Sequence, residues 1–160
     1  MKNLLFTLTT LTITIFAIGC SGQKRPEGMP SLVPVSVCVT QEGTPVVDAV
    51  VSLIPDDPAL KKWSPGGRTN ESGIVELRTL GFKGAAVGTY KVTIQKTEIE
   101  SETTGTGPLA QTKAKYFNCV DLKYGNETKT PLTLNVTEKN ERQTFDVGQA
   151  MREEFRPKMK

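Results

Sequence analysis

The sequence predicts an all-β fold, an antiparallel sandwich of about seven strands, on three observations. Apolar residues recur at every second position in several short runs. No stretch between those runs carries an apolar stripe at helical spacing. Gly, Pro, Asn and Asp gather at the seams.

The first run, "VPVSVCVT", sets Val33, Val35, Val37 and Val39 on one face and Pro34, Ser36, Cys38 and Thr40 on the other. A proline so near its start suits a first or edge strand. After the turn residues "QEGTP", the run "VVDAVVSLI" places Val47, Ala49, Val51 and Leu53 together, and "PDDP" ends it. "SGIVELRTL" follows an Asn-Glu-Ser-Gly turn. "GTYKVTIQK" points Tyr90, Val92 and Ile94 inward against Lys91, Thr93 and Gln95. "PLTLNVTE" repeats the alternation with Leu132, Leu134 and Val136, and "QTFDV" offers Phe145 and Val147 as a last strand.

Two segments break the rhythm. Residues 97–115, rich in Thr, Gly and charge, lack apolar periodicity and are expected to form a long mobile connection. The charged tail, residues 148–160, is expected to hold at most a short surface helix before Pro157. The sandwich domain is accordingly drawn over residues 33–147.

At the N-terminus, Lys2 precedes 16 uncharged residues from Leu4 to Gly19, short of the roughly 20 that a spanning helix needs. This has the form of a cleaved export signal, residues 1–19. The sequence "AIGC" then resembles the lipobox of bacterial lipoproteins, in which the cysteine thiol takes a diacylglycerol and the new N-terminus is acylated. The resemblance implies lipid attachment, palmitate among the acyl chains, at Cys20, and a membrane as the first partner. Ala17 stands where that family most often has Leu. Each buried methylene of an acyl chain contributes about 0.8 kcal/mol, and several chains together give stable anchoring. Ser21 rather than Asp after the cysteine points to the outer membrane by the best-known sorting rule. Residues 20–32 are then a lipidated N-terminus and tether, whose flexible part, residues 21–32, spans roughly 20 Å on average.

Removing residues 1–19 from the 160 leaves 141, enough for one domain with a core. The formal charge falls from +3 to +2 with Lys2 gone, and no basic stripe is interleaved with aromatics, so nucleic acid is not an expected partner. The chain has no histidine. That removes Ser-His-Asp and Cys-His catalysis and most zinc and copper sites, and no cofactor or metal is expected.

The order "GTPVVDAVVSL", "TNESGIVEL", "GTYKVTI" resembles the carboxypeptidase regulatory-like, transthyretin-like domain, with Gly43 and Pro45 in a hairpin, Ala49 packed in the second strand, Thr69 and Gly73 shaping a turn, and Gly88 and Tyr90 opening a strand. The later piece "LKYGNETKTPLTLNVTEKNERQTFDV" is similar to the closing segment of small bacterial lipoproteins carrying this domain. The resemblance covers residues 33–147 and implies a transthyretin-like or immunoglobulin-like sandwich that serves as an appendage, recognition or assembly module. One relative hydrolyses 5-hydroxyisourate through histidines and a Tyr-Arg-Gly-Ser terminus, neither of which this chain has. Fold alone does not select among these roles.

Candidate sites are few. Trp63, the single tryptophan, lies in "KKWSPGGRT" and either stacks on a sugar or plugs one end of the sandwich. Asp56 and Asp57, with Asp48, lack the ordered oxygen spacing of a calcium loop and are expected to be solvated turn residues. Glu98, Glu100 and Glu102 fall in the segment expected to be mobile. Tyr90 is expected to bury its ring and bond a backbone group through its hydroxyl. The sequons at Asn70, Asn126 and Asn135 carry no expectation beside a bacterial lipobox. Cys38 and Cys119 remain once Cys20 is lipidated, to pair as a disulfide in an oxidising envelope or to stay free as small apolar groups. The expected function is a non-enzymatic binding or structural module of the cell envelope, with an envelope protein or glycan as partner. The alternatives are a carbohydrate-binding module built on Trp63 and a hydrolase using carboxylates such as Asp56 and Asp57.

Overall fold

The structure, a computed structural model, describes residues 24–104 and 111–157. The signal, Cys20 and Ser21 lie outside those residues. No helix among the described residues is long and apolar enough to cross a membrane.

The fold is all-β. One sheet is centred on β1 (Ser36–Gln41), which pairs with β2 (Thr44–Pro45) through a hairpin. The second sheet is built on β3 (Val50–Pro55), followed by a 3-10 helix, Pro58–Trp63, and then by β4 (Gly66–Arg68). β5 (Ile74–Glu76) returns to the first sheet, against β1. β6 (Arg78–Thr79) and β7 (Phe82–Lys83) extend the second sheet, and β8 (Gly88–Gln95) runs beside β3 at its centre. β9 (Thr97–Thr104) and β10 (Gln111–Asn118) pair along their full lengths as an arm. β11 (Thr133–Val136) joins β8, β12 (Gln143–Asp146) lies along β1, and β13 (Glu153–Phe155) adds to the base of β10.

One core fills the space between the two sheets. Val35, Val37, Val39 and Val75 come from the first sheet, and Val51, Leu53, Val92, Ile94, Leu134 and Val136 from the second. The inward face read from "VPVSVCVT" and "GTYKVTIQK" is the buried face. Tyr90 is fully buried, and its hydroxyl donates to the Ala86 carbonyl at 2.8 Å, so the ring's one polar atom is satisfied. Thr69 holds the connection between β2 and β3 from inside: its Oγ1 accepts from the Ala49 amide at 2.8 Å and donates to the Val46 carbonyl at 2.6 Å.

Gly73 illustrates why the turn needs its glycine. Its φ is +70°, and a Cβ there would stand 2.5 Å from the Val39 carbonyl oxygen. Asn70 closes the same turn, its Oδ1 accepting from the amides of Ser72 and Ile74 at 3.0 Å each.

Several expectations are corrected. The strands are shorter and more numerous than seven, because turns at Glu42–Gly43, Asp48 and Leu80–Gly81, all with positive φ, cut the runs. The turn at Asp48 also resets the alternation, so Val46 is buried and Val47 only half-buried. The pairing is not wholly antiparallel. β12 runs parallel to β1, because the chain crosses from the second sheet to the first between β11 and β12. Residues 97–104 and 111–115 are strand rather than a loose connection. The described part of the tail, residues 148–157, carries a strand, β13, and no helix.

Candidate functional site

The two ends of β1 define two ends of the molecule. At its start, Val33 bridges Ala85 and the Asn140 side chain reaches the Pro34 carbonyl. This is where residues 24–32 lead into the fold. At its finish, about 17 Å away for a strand of this length, the Gln41 side chain donates to the carbonyls of Cys119 at 3.1 Å and Gln149 at 2.8 Å. That contact ties the sandwich to the root of the arm. β8 tells the same story, since its first residue, Gly88, pairs with Val136 close in sequence to Ala85, the bridge partner of Val33, and its last leads into β9.

The arm has two unlike faces. On one stand Glu98, Glu100 and Glu102 of β9, with Lys113, Lys115 and Phe117 of β10. Lys115 pairs with Glu102 at 2.8 Å and Lys96 with Glu98 at 3.2 Å. Arg152, just before β13, pairs with both Glu98 and Glu100 and lays its guanidinium over the Phe117 ring at 3.7 Å. The hydrogen bond from Lys96 holds the Glu98 carboxyl below its ordinary range, and that from Lys115 does the same for Glu102. These carboxylates are engaged in holding three strands together.

The other face carries an apolar row straight across the strands. Ile99 is 62% exposed, Tyr116 and Phe155 pack rings at 5.9 Å, and the three come from β9, β10 and β13. At its base this strip opens into a cleft of about 670 Å³ between the arm and the loop of residues 120–129. Its apolar lining comes from the exposed Leu122 (63%) and from Phe155, above the buried core residues Ile94 and Val120. Lys96, Lys123 and Lys129 rim it, with Asp121 the one acidic lining residue.

The loop is held by its own hydrogen bonds. Asp121 accepts from the Lys123 amide at 2.9 Å and pairs with the Lys123 ammonium at 3.2 Å; Asn126 Oδ1 accepts from the Thr128 amide and hydroxyl. These contacts lower the Asp121 pKa, chiefly through the Lys123 N–H, and raise that of Lys123, chiefly through the bond to Asp121. Gln95 ties the loop to β8, donating to the Gly125 carbonyl at 3.0 Å.

The residues singled out in the sequence do not converge. Trp63 is 6% exposed, at the end of the 3-10 helix with Lys62 over its ring at 4.9 Å, which leaves no open face for a sugar. Asp57 caps that helix, its Oδ1 accepting from the Ala59 amide at 2.8 Å. No group of three or more Cys, Asp or Glu among the described residues is placed to hold a metal. Cys38 and Cys119 carry free thiols. The bridge left open by the sequence is not formed: Cys38 lies on the outer face of β1 against the Ser72 carbonyl, while Cys119 is buried at the root of the arm with its thiol toward Phe117 O. Burial pushes the Cys119 thiol pKa up, with Glu98 adding to it.

The cleft, the apolar strip and Arg152 were not found by reading the sequence. The available signal was the alternation of Glu with Ile, Ser and Thr in "TEIESETT", a period of two carried by charge rather than by apolar residues. Compared with protein-family models, curated proteins and solved structures, the chain matches none.

Proposed function

We propose that this chain is a bacterial lipoprotein, exported by residues 1–19 and anchored through Cys20, whose transthyretin-like sandwich is a non-enzymatic binding module of the cell envelope. In this reading the outer membrane holds the lipid, residues 21–32 span the gap, and the arm with its cleft faces away from the bilayer toward a partner protein. The observation that carries it is polarity. The chain enters at one end of β1, and the arm and its cleft root at the other. A tethered domain with its open, partly apolar surface at the far end is arranged to meet something other than its own membrane.

Binding rather than catalysis fits the electrostatics of the cleft. A general acid or base works best with a pKa near the operating pH, whereas Asp121 is driven down and Lys123 up, each toward its permanently charged form. The burial of the Trp63 ring speaks against a sugar-binding loop, and of the two carboxylates offered for a hydrolase Asp57 accepts from the Ala59 amide as the helix cap.

Metabolic labelling with a tagged palmitate tests the anchor. The wild-type chain is expected to take the label and sediment with membranes, and Cys20→Ala to do neither. An unlabelled wild-type chain rejects the lipoprotein reading.

A further inference from the structure

Three features at the far end of the molecule belong to one surface. The cleft is continuous with the strip formed by Phe155, Tyr116 and Ile99, since Phe155 lines it and Thr97 and Asn118, which also line it, share the arm face with Ile99 and Tyr116. The strip crosses three strands. At about 4.8 Å between strands it is roughly 10 Å long beyond the cleft. Such a surface suits an elongated ligand better than a compact one.

Its charge is unbalanced. Lys96 and Lys123 each have one acidic partner, Glu98 and Asp121, and Glu98 is already shared with Arg152. Lys129 has no ion-pair partner among the described residues. Glu127, on the same loop, and Glu153, which shares the arm face with Asn118 and Phe155, do not line the cleft. Among the lining side chains a positive excess therefore stands beside the apolar groups of Leu122 and Phe155.

We infer that this surface takes an extended segment of another protein in which a carboxylate side chain lies within a few residues of an aromatic or aliphatic one. The carboxylate meets Lys129 at the rim. The apolar side chain enters the cleft against Leu122 and Phe155, and the segment continues along Tyr116 and Ile99. Recognition of this kind combines a buried apolar anchor with charge complementarity at the rim. The inference rests on the reading of the tether-distal end as the working surface, and that geometry favours a protein segment over the headgroups of the anchoring membrane. The order of binding parts also sets a specificity: a segment with the apolar residue but amides for carboxylates keeps the anchor and loses the rim contact.

Amide chemical shifts of the full chain in neutral detergent micelles test this. The probe is an equimolar pool of acetylated tetrapeptides in which Asp or Glu alternates with Phe, Leu or Val; the control pool carries Asn and Gln instead. The acidic pool is expected to shift the amides of Leu122, Lys129 and Phe155 saturably, and the control pool to bind at least about threefold more weakly. Lys129→Glu should weaken the acidic pool about tenfold, a change of about 1.4 kcal/mol, while Lys129→Arg preserves binding. Lys129 is exposed, so neither substitution threatens the fold. Equal binding of the two pools, or no shift at millimolar peptide, overturns the inference. So do shifts of these residues produced only by inorganic phosphate, only by phosphatidylglycerol added to the micelles, or on concentrating the chain alone, which assign the surface to a free anion, a headgroup or a second copy. Because the readout is binding by the isolated chain, its failure leaves palmitate labelling at Cys20 untouched, and failure of labelling leaves the shifts untouched.

Discussion

The sandwich and the arm are both β-sheet, but they are held together by different physics. In the sandwich, Leu53, Tyr90, Val92 and Ile94 are fully buried and the polar groups among them are paired within the fold. In the arm, most side chains of β9 and β10 are exposed, and the strands are joined by their backbone ladder, by ion pairs to Lys115 and Arg152, and by ring contacts at Phe117, Tyr116 and Phe155. Burial of apolar area contributes most of a domain's stability, while exposed ion pairs contribute little each. The comparison teaches that the stable half supplies position and the weakly held half supplies surface.

Paired truncations break the comparison most sharply. Leu53→Ala removes a fully buried side chain from between the sheets and should cost about 3 kcal/mol in urea unfolding. Ile99→Ala, on the exposed strip, should stay within about 0.5 kcal/mol. Similar losses for both would mean that the arm is part of the core. Thr69→Val comes next. It keeps the shape but strips the partners from the Ala49 amide and the Val46 carbonyl, and a loss of about 2 kcal/mol is expected.

Much of the sandwich was legible because its strands bury one face, and burial writes itself as alternating Val, Leu and Ile. Tyr90, Ala49 and Gly73 could be assigned their structural roles for that reason. The parallel pairing of β12 with β1 could not be read, since alternation specifies a face and not a neighbour or a direction. The arm was hidden for a different reason. With both faces largely in solvent, its period of two is carried by Glu98, Glu100 and Glu102 against Ile99, Ser101 and Thr103, a pattern that composition alone reads as a polar connection. The cleft depends on Lys96, Asn118, Lys129 and Phe155 meeting across long separations in sequence, and no local motif announces such a meeting.

A smaller effect sharpens the comparison from the arm's side. Arg152→Ala should lower global stability by less than about 1 kcal/mol yet speed amide exchange in β13 and the facing part of β10, because it removes the contacts to Glu98, Glu100 and Phe117 together. Acid should act in the same place. Glu98 and Glu102 have folded pKa values below the ordinary glutamate value, so their contribution is complete above that ordinary value and is lost as the pH falls through their lower folded values. Exchange in the arm should therefore accelerate below about pH 4.5 while the amides of β3 and β8 stay protected. Smallest of all is a difference between thiols. Cys119, buried and with its pKa raised, should be alkylated by iodoacetamide more slowly than Cys38 on the outer face of β1 in the native protein, and the difference should vanish in urea.

The claim that the arm end works while the sandwich end is tethered can be tested with a photo-crosslinking residue placed in intact cells at Leu122, beside the cleft, or at Val87, exposed near the tether. The account predicts a discrete protein adduct from position 122 that weakens when Lys129→Glu is added, and no such adduct from position 87. An adduct from position 87 alone, or equal adducts indifferent to Lys129, would contradict it.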